Sequence, residues 1–402
     1  METELDIDMA PPDYDKKMYT ARLFPTDSNI FDAMAFNVMR ISKNLSPEGQ
    51  MLMKSVIDNI FYRTIMSEFS KQSKKFVKKT MFKESTFEYL SNAFETVDND
   101  AYIQNIITYA NRNKPAGYGS VDWFGNSCYQ DAVILALFAM PVRFIVANVL
   151  YKDVYKLKDN DFCTKGESRV ENLNFVIRLQ MFLRQIAKKL WFKTDPFKCF
   201  AFRQLTTECK TRLLEKFTMT REGDAPEFLK FLFEMFDVPQ LSRIDTSVHP
   251  QKSEDYPIVQ IFSDPNLPRK LSYQLLYNWS KINEKDENEL VDFIVFNHIK
   301  DSYTTTSTEL IPDSGIDDDP FIIDDKWFRL HAVVMYKPPP SPHYTVIINL
   351  KEDTWVYFND IGNPQIKEYH SYKSALDEQR LANQDYNIKS SGVLYFYRMI
   401  GD

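Results

Sequence analysis

The spacing of apolar residues changes once along this 402-residue chain. Up to about residue 245 it is helical; from about 255 it breaks into short runs rich in β-branched and aromatic residues. Residues 28–97 read as helical. Within them, Ser46-Pro47-Glu48 places a cap and then a proline ahead of Met51, Leu52, Val56, Ile60 and Phe61. Val133-Ile134-Leu135-Ala136-Leu137-Phe138 is apolar nearly all round, which predicts a buried helix. Residues 171–190 carry a further helical period, and Asp224 caps another helix with Pro226 in its first turn. Strands are expected at 257–262, 290–296, 329–335, 344–350, 354–358 and 393–399. The polar turn Lys351-Glu352-Asp353 makes 344–350 and 354–358 a hairpin. The acidic stretch 311–327 reads as a loop. Helices first and strands later define an α+β fold.

Composition divides the chain further. Residues 1–20 form an acidic tail expected to be disordered, 21–112 a helical N-terminal domain and 113–402 a second domain, with a linker around Asn111-Arg112-Asn113-Lys114-Pro115-Ala116-Gly117. The tail holds Pro11-Pro12-Asp13-Tyr14, a pattern that suits the aromatic groove of a WW-domain partner. Lys71, Lys74, Lys75, Lys78 and Lys79 read as a solvated helix face. Glycine is scarce, and neither a dinucleotide fingerprint nor a phosphate loop is present. A net charge of −7 argues against a general nucleic-acid binder. Cys128, Cys163, Cys199 and Cys209 have no paired spacing, so no metal or other cofactor is expected; reduced thiols suit a cytoplasmic or nuclear setting. The acidic start is unlike a signal peptide, and no apolar run is long enough to span a membrane.

The candidate chemistry begins at Gly125-Asn126-Ser127-Cys128-Tyr129, a polar turn feeding the apolar helix. Asn126 or Ser127 is expected to cap that helix through its side chain. Cys128 then lies at the positive end of the helix dipole, a position that favours negative charge. A thiol nucleophile needs a base and a group to orient the base. His343 opens the hairpin, and the hairpin returns Asn359 and Asp360 to its neighbourhood. The residues alone leave the choice between those two open.

These blocks, in this order, resemble the ubiquitin-specific proteases, a papain-like family of cysteine deubiquitinases. Gly125-Asn126-Ser127-Cys128-Tyr129 resembles the family's Cys box, and Asp224-Ala225-Pro226-Glu227-Phe228-Leu229 its internal acidic block. Leu330-His331-Ala332-Val333-Val334, His343-Tyr344, Trp355-Val356-Tyr357-Phe358-Asn359-Asp360 and the closing Val393-Leu394-Tyr395-Phe396-Tyr397 resemble its His box. The resemblance covers about residues 117–402. It implies a helical thumb, a β palm and reduced fingers, with Cys128 as nucleophile, His343 as base and Asn359 in the third position, Asp360 beside it. It further implies that Asp224 and Glu227 face the basic tail of ubiquitin or a ubiquitin-like modifier. The implied activity is hydrolysis of the isopeptide bond after the modifier's C-terminal glycine. A weakly catalytic ubiquitin-binding adaptor and a structural interaction protein are the alternatives.

The chain departs from the family at four points. Trp123, with Asp122 beside it, stands where the family has an asparagine donating to the oxyanion; an indole N–H can donate there, whereas a carboxylate would repel. Pro342 replaces the glycine before the histidine, Gly223 replaces the glutamine before Asp224, and the zinc-binding cysteine pairs are missing.

Overall fold

The computed structural model of the protein describes residues 28–71, 82–157, 168–208, 222–238, 242–243, 255–256, 258–262, 292–299, 321–323, 325–337, 341–351, 354–361, 365–381 and 391–400. Pro11, Pro12 and Tyr14, Cys163, Cys209 and the lysines of 72–81 lie outside them.

Helices α1 (Ser28–Ser42), α2 (Pro47–Lys71), α3 (Glu84–Ala93), α4 (Asn99–Arg112), α5 (Cys128–Phe138), α6 (Arg143–Ile145), α7 (Arg169–Phe192), α8 (Phe200–Glu208) and α9 (Ala225–Met235) come first. A π-helical turn, Val146–Leu150, continues α6. Strands β1 (Ser242–Arg243), β2 (Asp255–Tyr256), β3 (Val259–Phe262), β4 (Phe293–Ile299), β5 (Phe321–Ile323), β6 (Lys326–Lys337), β7 (His343–Lys351), β8 (Thr354–Phe358), β9 (Ile366–Tyr369) and β10 (Gly392–Met399) follow, with helix α10 (Tyr372–Leu381) between the last two. The fold is therefore mixed, with helices and strands largely segregated along the chain.

Among the described residues the main sheet runs β3-β4-β10-β6-β7-β8-β9, with β5 on β6. Its pairings are antiparallel except β3 with β4. Both faces are buried, so alternate residues enter different cores. Val295, Ala332, Val334, Val346, Ile348, Val356 and Phe396 pack on the side of α5. Ile294, Val333, Met335, Ile347, Trp355, Tyr395 and Tyr397 point the other way, where Tyr372 and Ala375 of α10 cover them.

Helix α5 lies against β6, β7 and α9, and every residue from Tyr129 to Phe138 is buried. That is the environment its all-round apolar sequence requires. His331 of β6 donates from Nε2 to the Ala136 carbonyl, 2.9 Å away, and burial pushes its pKa down to about 3, so the ring is neutral.

Two sequence expectations need correction. The acidic stretch 311–327 is not all loop: Phe321–Ile323 forms β5, and Trp327 lies within β6 opposite Ile322. Three adjacent apolar residues pair there despite the flanking charge. Helix α4 was also missed, although Asp98 caps it by accepting from Ala101 N at 3.0 Å. The elements β1, β2, β9 and α10 were not anticipated either.

The helices before residue 113 share one apolar cluster with those after it. Polar contacts cross as well. Asn174 of α7 exchanges hydrogen bonds with the backbone of Phe82, at 2.9 and 3.0 Å. Lys54 of α2, 2% exposed, is ion-paired with Asp153 and surrounded by the rings of Phe94, Tyr102 and Tyr155. Burial pushes the Asp153 carboxyl up, but Lys54 and Lys156 outweigh it and hold the pKa below its ordinary value. The stability this lends is present above the ordinary carboxylate range and is lost as pH falls through the lowered value. Lys54→Met should take away the carboxylate's buried partner, leaving the more exposed Lys156 to hold it, and lower stability by up to about 3 kcal/mol in urea unfolding. Because the core is continuous, fluorescence and circular dichroism should still report one shared transition.

Candidate active site

The polar turn before α5 needs a left-handed residue, and Gly125 supplies it at φ 49°. Ser127 occupies the cap position, yet its side chain does not make the expected capping bond. Its Oγ donates to Asp131 Oδ2 at 2.6 Å and accepts from Phe124 N at 3.1 Å. The reason lies one turn along the helix, where Asp131 captures the hydroxyl. Asp131 is 1% exposed and ion-paired with the equally buried Arg203 of α8. Burial pushes the Asp131 carboxyl up, Arg203 draws it down, and the charge of Asp360 pushes it up again, leaving it raised overall.

Cys128 is half-buried at the start of α5. His343, the first residue of β7, is within hydrogen-bonding reach of its thiol. The β7–β8 hairpin brings the predicted partners to the same ring. His343 Nε2 lies 2.9 Å from Asn359 Oδ1 and 3.2 Å from Asp360 Oδ1. The Asn359 contact has hydrogen-bond alignment; the Asp360 contact is an ion pair off the N–H line. With Nε2 so engaged, Nδ1 is the nitrogen left to address the thiol. Burial of the ring acts to lower its pKa. Close contact with the Asp360 carboxylate, the Cys128 thiol, the Asp360 charge and Asn359 together outweigh burial and raise the value to about 10. The ring is therefore an imidazolium at neutral pH.

Asp224 caps α9, accepting from Glu227 N at 2.9 Å, and its other oxygen accepts from Tyr344 Oη at 3.4 Å. Tyr344 packs on Tyr336 with ring centroids 4.8 Å apart. Burial raises the pKa of both phenols, and the charge of Asp224 adds to it, with Glu222 contributing at Tyr336. Glu227 sits half-buried in the first turn of α9. Trp123 is 43% exposed, and the Asp122 carboxylate accepts from Gln365 Nε2 at 3.3 Å. The glycine at 223 has a steric reason: a Cβ there would lie 2.4 Å from Cζ of Tyr129, the residue after the cysteine.

Sequence reasoning missed Asp131, Arg203 and Gln365. An acid inside an otherwise apolar helix was a visible sign that Asp131 had a buried partner. Nothing local pointed to Arg203 or Gln365.

Neither a protein-family model nor a curated protein matches the chain. Several solved structures are similar to it at low identity. The SAGA Ubp8/Sgf11/Sus1/Sgf73 DUB module bound to ubiquitin aldehyde matches at 12% identity over 71% of this chain and 70% of that one, TM-score 0.41. The Neurospora crassa Pan2 catalytic unit, a protease and nuclease domain, matches at 9% over 72% and 58%, TM-score 0.45. An essential yeast splicing factor matches at 12% over 69% and 68%, TM-score 0.39.

Two measurements check this geometry. The His343 ring should stay protonated through neutral pH by NMR, with Asp360→Asn moving its titration to lower pH. The sign follows from a raised pKa: the stability it lends is full below the ordinary histidine range and lost as pH rises through about 10. Gly223→Gln should displace the Tyr129 ring and lower the melting temperature, whereas Glu222→Gln next door should not.

Proposed function

We propose that the protein is a thiol-dependent isopeptidase that cleaves after the C-terminal glycine of ubiquitin or a ubiquitin-like modifier. One observation carries the chemistry: a single imidazole meets the Asn359–Asp360 pair and is within hydrogen-bonding reach of the Cys128 thiol. The choice of modifier rests on the resemblance of the Cys, acidic and His blocks to ubiquitin-specific proteases, and the thumb, palm and reduced fingers belong to that same reading.

In this mechanism Cys128 attacks the glycine carbonyl as thiolate, and the His343 imidazolium gives its proton to the departing lysine amine. The neutral imidazole then takes a proton from water, which hydrolyses the thioester. Asn359 orients the ring through Nε2, and Asp360 supplies the charge that keeps it protonated. Asp224, with Glu227 near it, would meet the modifier's basic tail, although Asp224 also caps its own helix.

The alternative is a modifier-binding protein of weak catalytic power. It is favoured by Trp123 at the oxyanion-donor position, since losing one donor costs about 10²–10³ in rate.

The test is incubation of the full chain with ubiquitin and its relatives carrying a C-terminal electrophile, read by mass spectrometry, together with hydrolysis of fluorogenic conjugates. One modifier should form an adduct that Cys128→Ala abolishes. Binding without adduct or turnover would support the adaptor; an adduct retained by Cys128→Ala would refute the nucleophile.

A further inference from the structure

We propose that Gln365 is a positioning residue that locks the two halves of the site to each other. The inference rests on the reading of Cys128 and His343 given above. Their halves come from distant parts of the chain: the loop entering α5, and the turn leaving β8. Gln365, just before β9, bonds to both. Its main-chain carbonyl accepts from Asn359 N at 2.9 Å, and its Nε2 donates to the Asp360 carbonyl at 3.1 Å. The same amide donates to Asp122 Oδ1 at 3.3 Å, while its Oε1 accepts from Ser120 Oγ at 3.2 Å.

The loop it reaches is itself anchored. Asp122 N donates to Phe197 O at 2.9 Å, and Phe197 N to Ser120 O at 3.1 Å. Arg203 donates to the Asp122 carbonyl at 3.3 Å while it holds Asp131 on α5. A continuous chain of bonds thus runs from α5 through Arg203 and Asp122 to Gln365 and on to Asn359 and Asp360. Among the described residues, Gln365 is the joint of that chain between the two loops.

The chemistry of the joint requires a primary amide. The side chain must donate to a carboxylate and a carbonyl and accept from a hydroxyl, and glutamine does both. Glutamate cannot donate, and would set a second carboxylate against Asp122.

The experiment compares the full-length parent, Gln365→Glu, Gln365→Ala and the double variant Asp122→Asn with Gln365→Glu. The double variant restores a donor opposite the new carboxylate. Three quantities are read on each: His343 ring titration by NMR, the rate of Cys128 alkylation by 2-chloroacetamide with Cys128→Ala as control, and kcat and KM on the reactive modifier. Gln365→Glu should slow alkylation and lower kcat by roughly 10- to 100-fold with KM little changed, and Gln365→Ala, which adds no charge of its own, should shift the His343 titration downward as Asp360 loosens. The double variant should recover most of each loss. If Gln365→Glu melts below the assay temperature, Ser120→Ala removes one bond of the same joint and should show the same shifts at smaller amplitude. A lower melting temperature with unchanged titration and alkylation would make Gln365 merely structural and overturn the proposal. If no modifier is hydrolysed by the parent, the functional reading fails, while titration and alkylation still decide the role of Gln365.

Discussion

The burial of α5 on all sides is the constraint on which the rest of the structure depends. A helix whose faces are all apolar cannot sit on a surface; it must be enclosed, here by the sheet, α7 and α9. Enclosure fixes the helix axis and therefore the position of Cys128 at its end. It also fixes the depth of Asp131, which lies a turn further in and cannot remain in that environment without a cation. Arg203 is thus a consequence of where the helix starts, and through Asp122 it shapes the loop ahead of the cysteine. The ion pair is costly to desolvate, and its value lies in geometry more than in net stability.

The sheet does for His343 what the helix does for Cys128. Its strands are buried on both faces, so a slip by one residue would exchange two different cores. The β7–β8 register, with Val346 opposite Phe358 and Ile348 opposite Val356, is held by that cost. Once it is held, the residues just beyond Phe358 must return beside His343. The side chains that meet the imidazole are on a turn, but the turn is aimed by strands that cannot move.

Much of this was legible in the sequence because it is local. The apolar helix after Cys128, the hairpin, the late strands and the order of the candidate residues all follow from spacing within a few positions. What was not legible is long-range or chemically ambiguous. A polar loop and a short paired strand look alike when acids flank three apolar residues, as at Phe321–Ile323. Ser127 has the composition of a helix cap, and only the proximity of Asp131 diverts its hydroxyl. The Arg203 and Gln365 contacts span 72 and 243 residues to Asp131 and Asp122, and no periodicity carries that information.

The charges at the site explain why both Asn359 and Asp360 stand beside one ring. Asn359 offers a directed oxygen, and a directed acceptor sets ring orientation without adding charge. Asp360 offers charge without alignment, and charge acts at 3.2 Å whether or not the N–H points at it. Its neighbourhood already contains the Asp131 carboxylate, so a second buried anion is tolerable only if cations balance both. Arg203 pairs with Asp131, and the imidazolium pairs with Asp360. Removing the His343 charge would leave Asp360 buried, 8% exposed, without its ion-pair partner. The protonated ring thus has a buried carboxylate as its partner apart from any part it plays in the reaction proposed for it. A neutral asparagine in the oriented position and a carboxylate in the charged one divide between them two tasks that a single aspartate would otherwise combine.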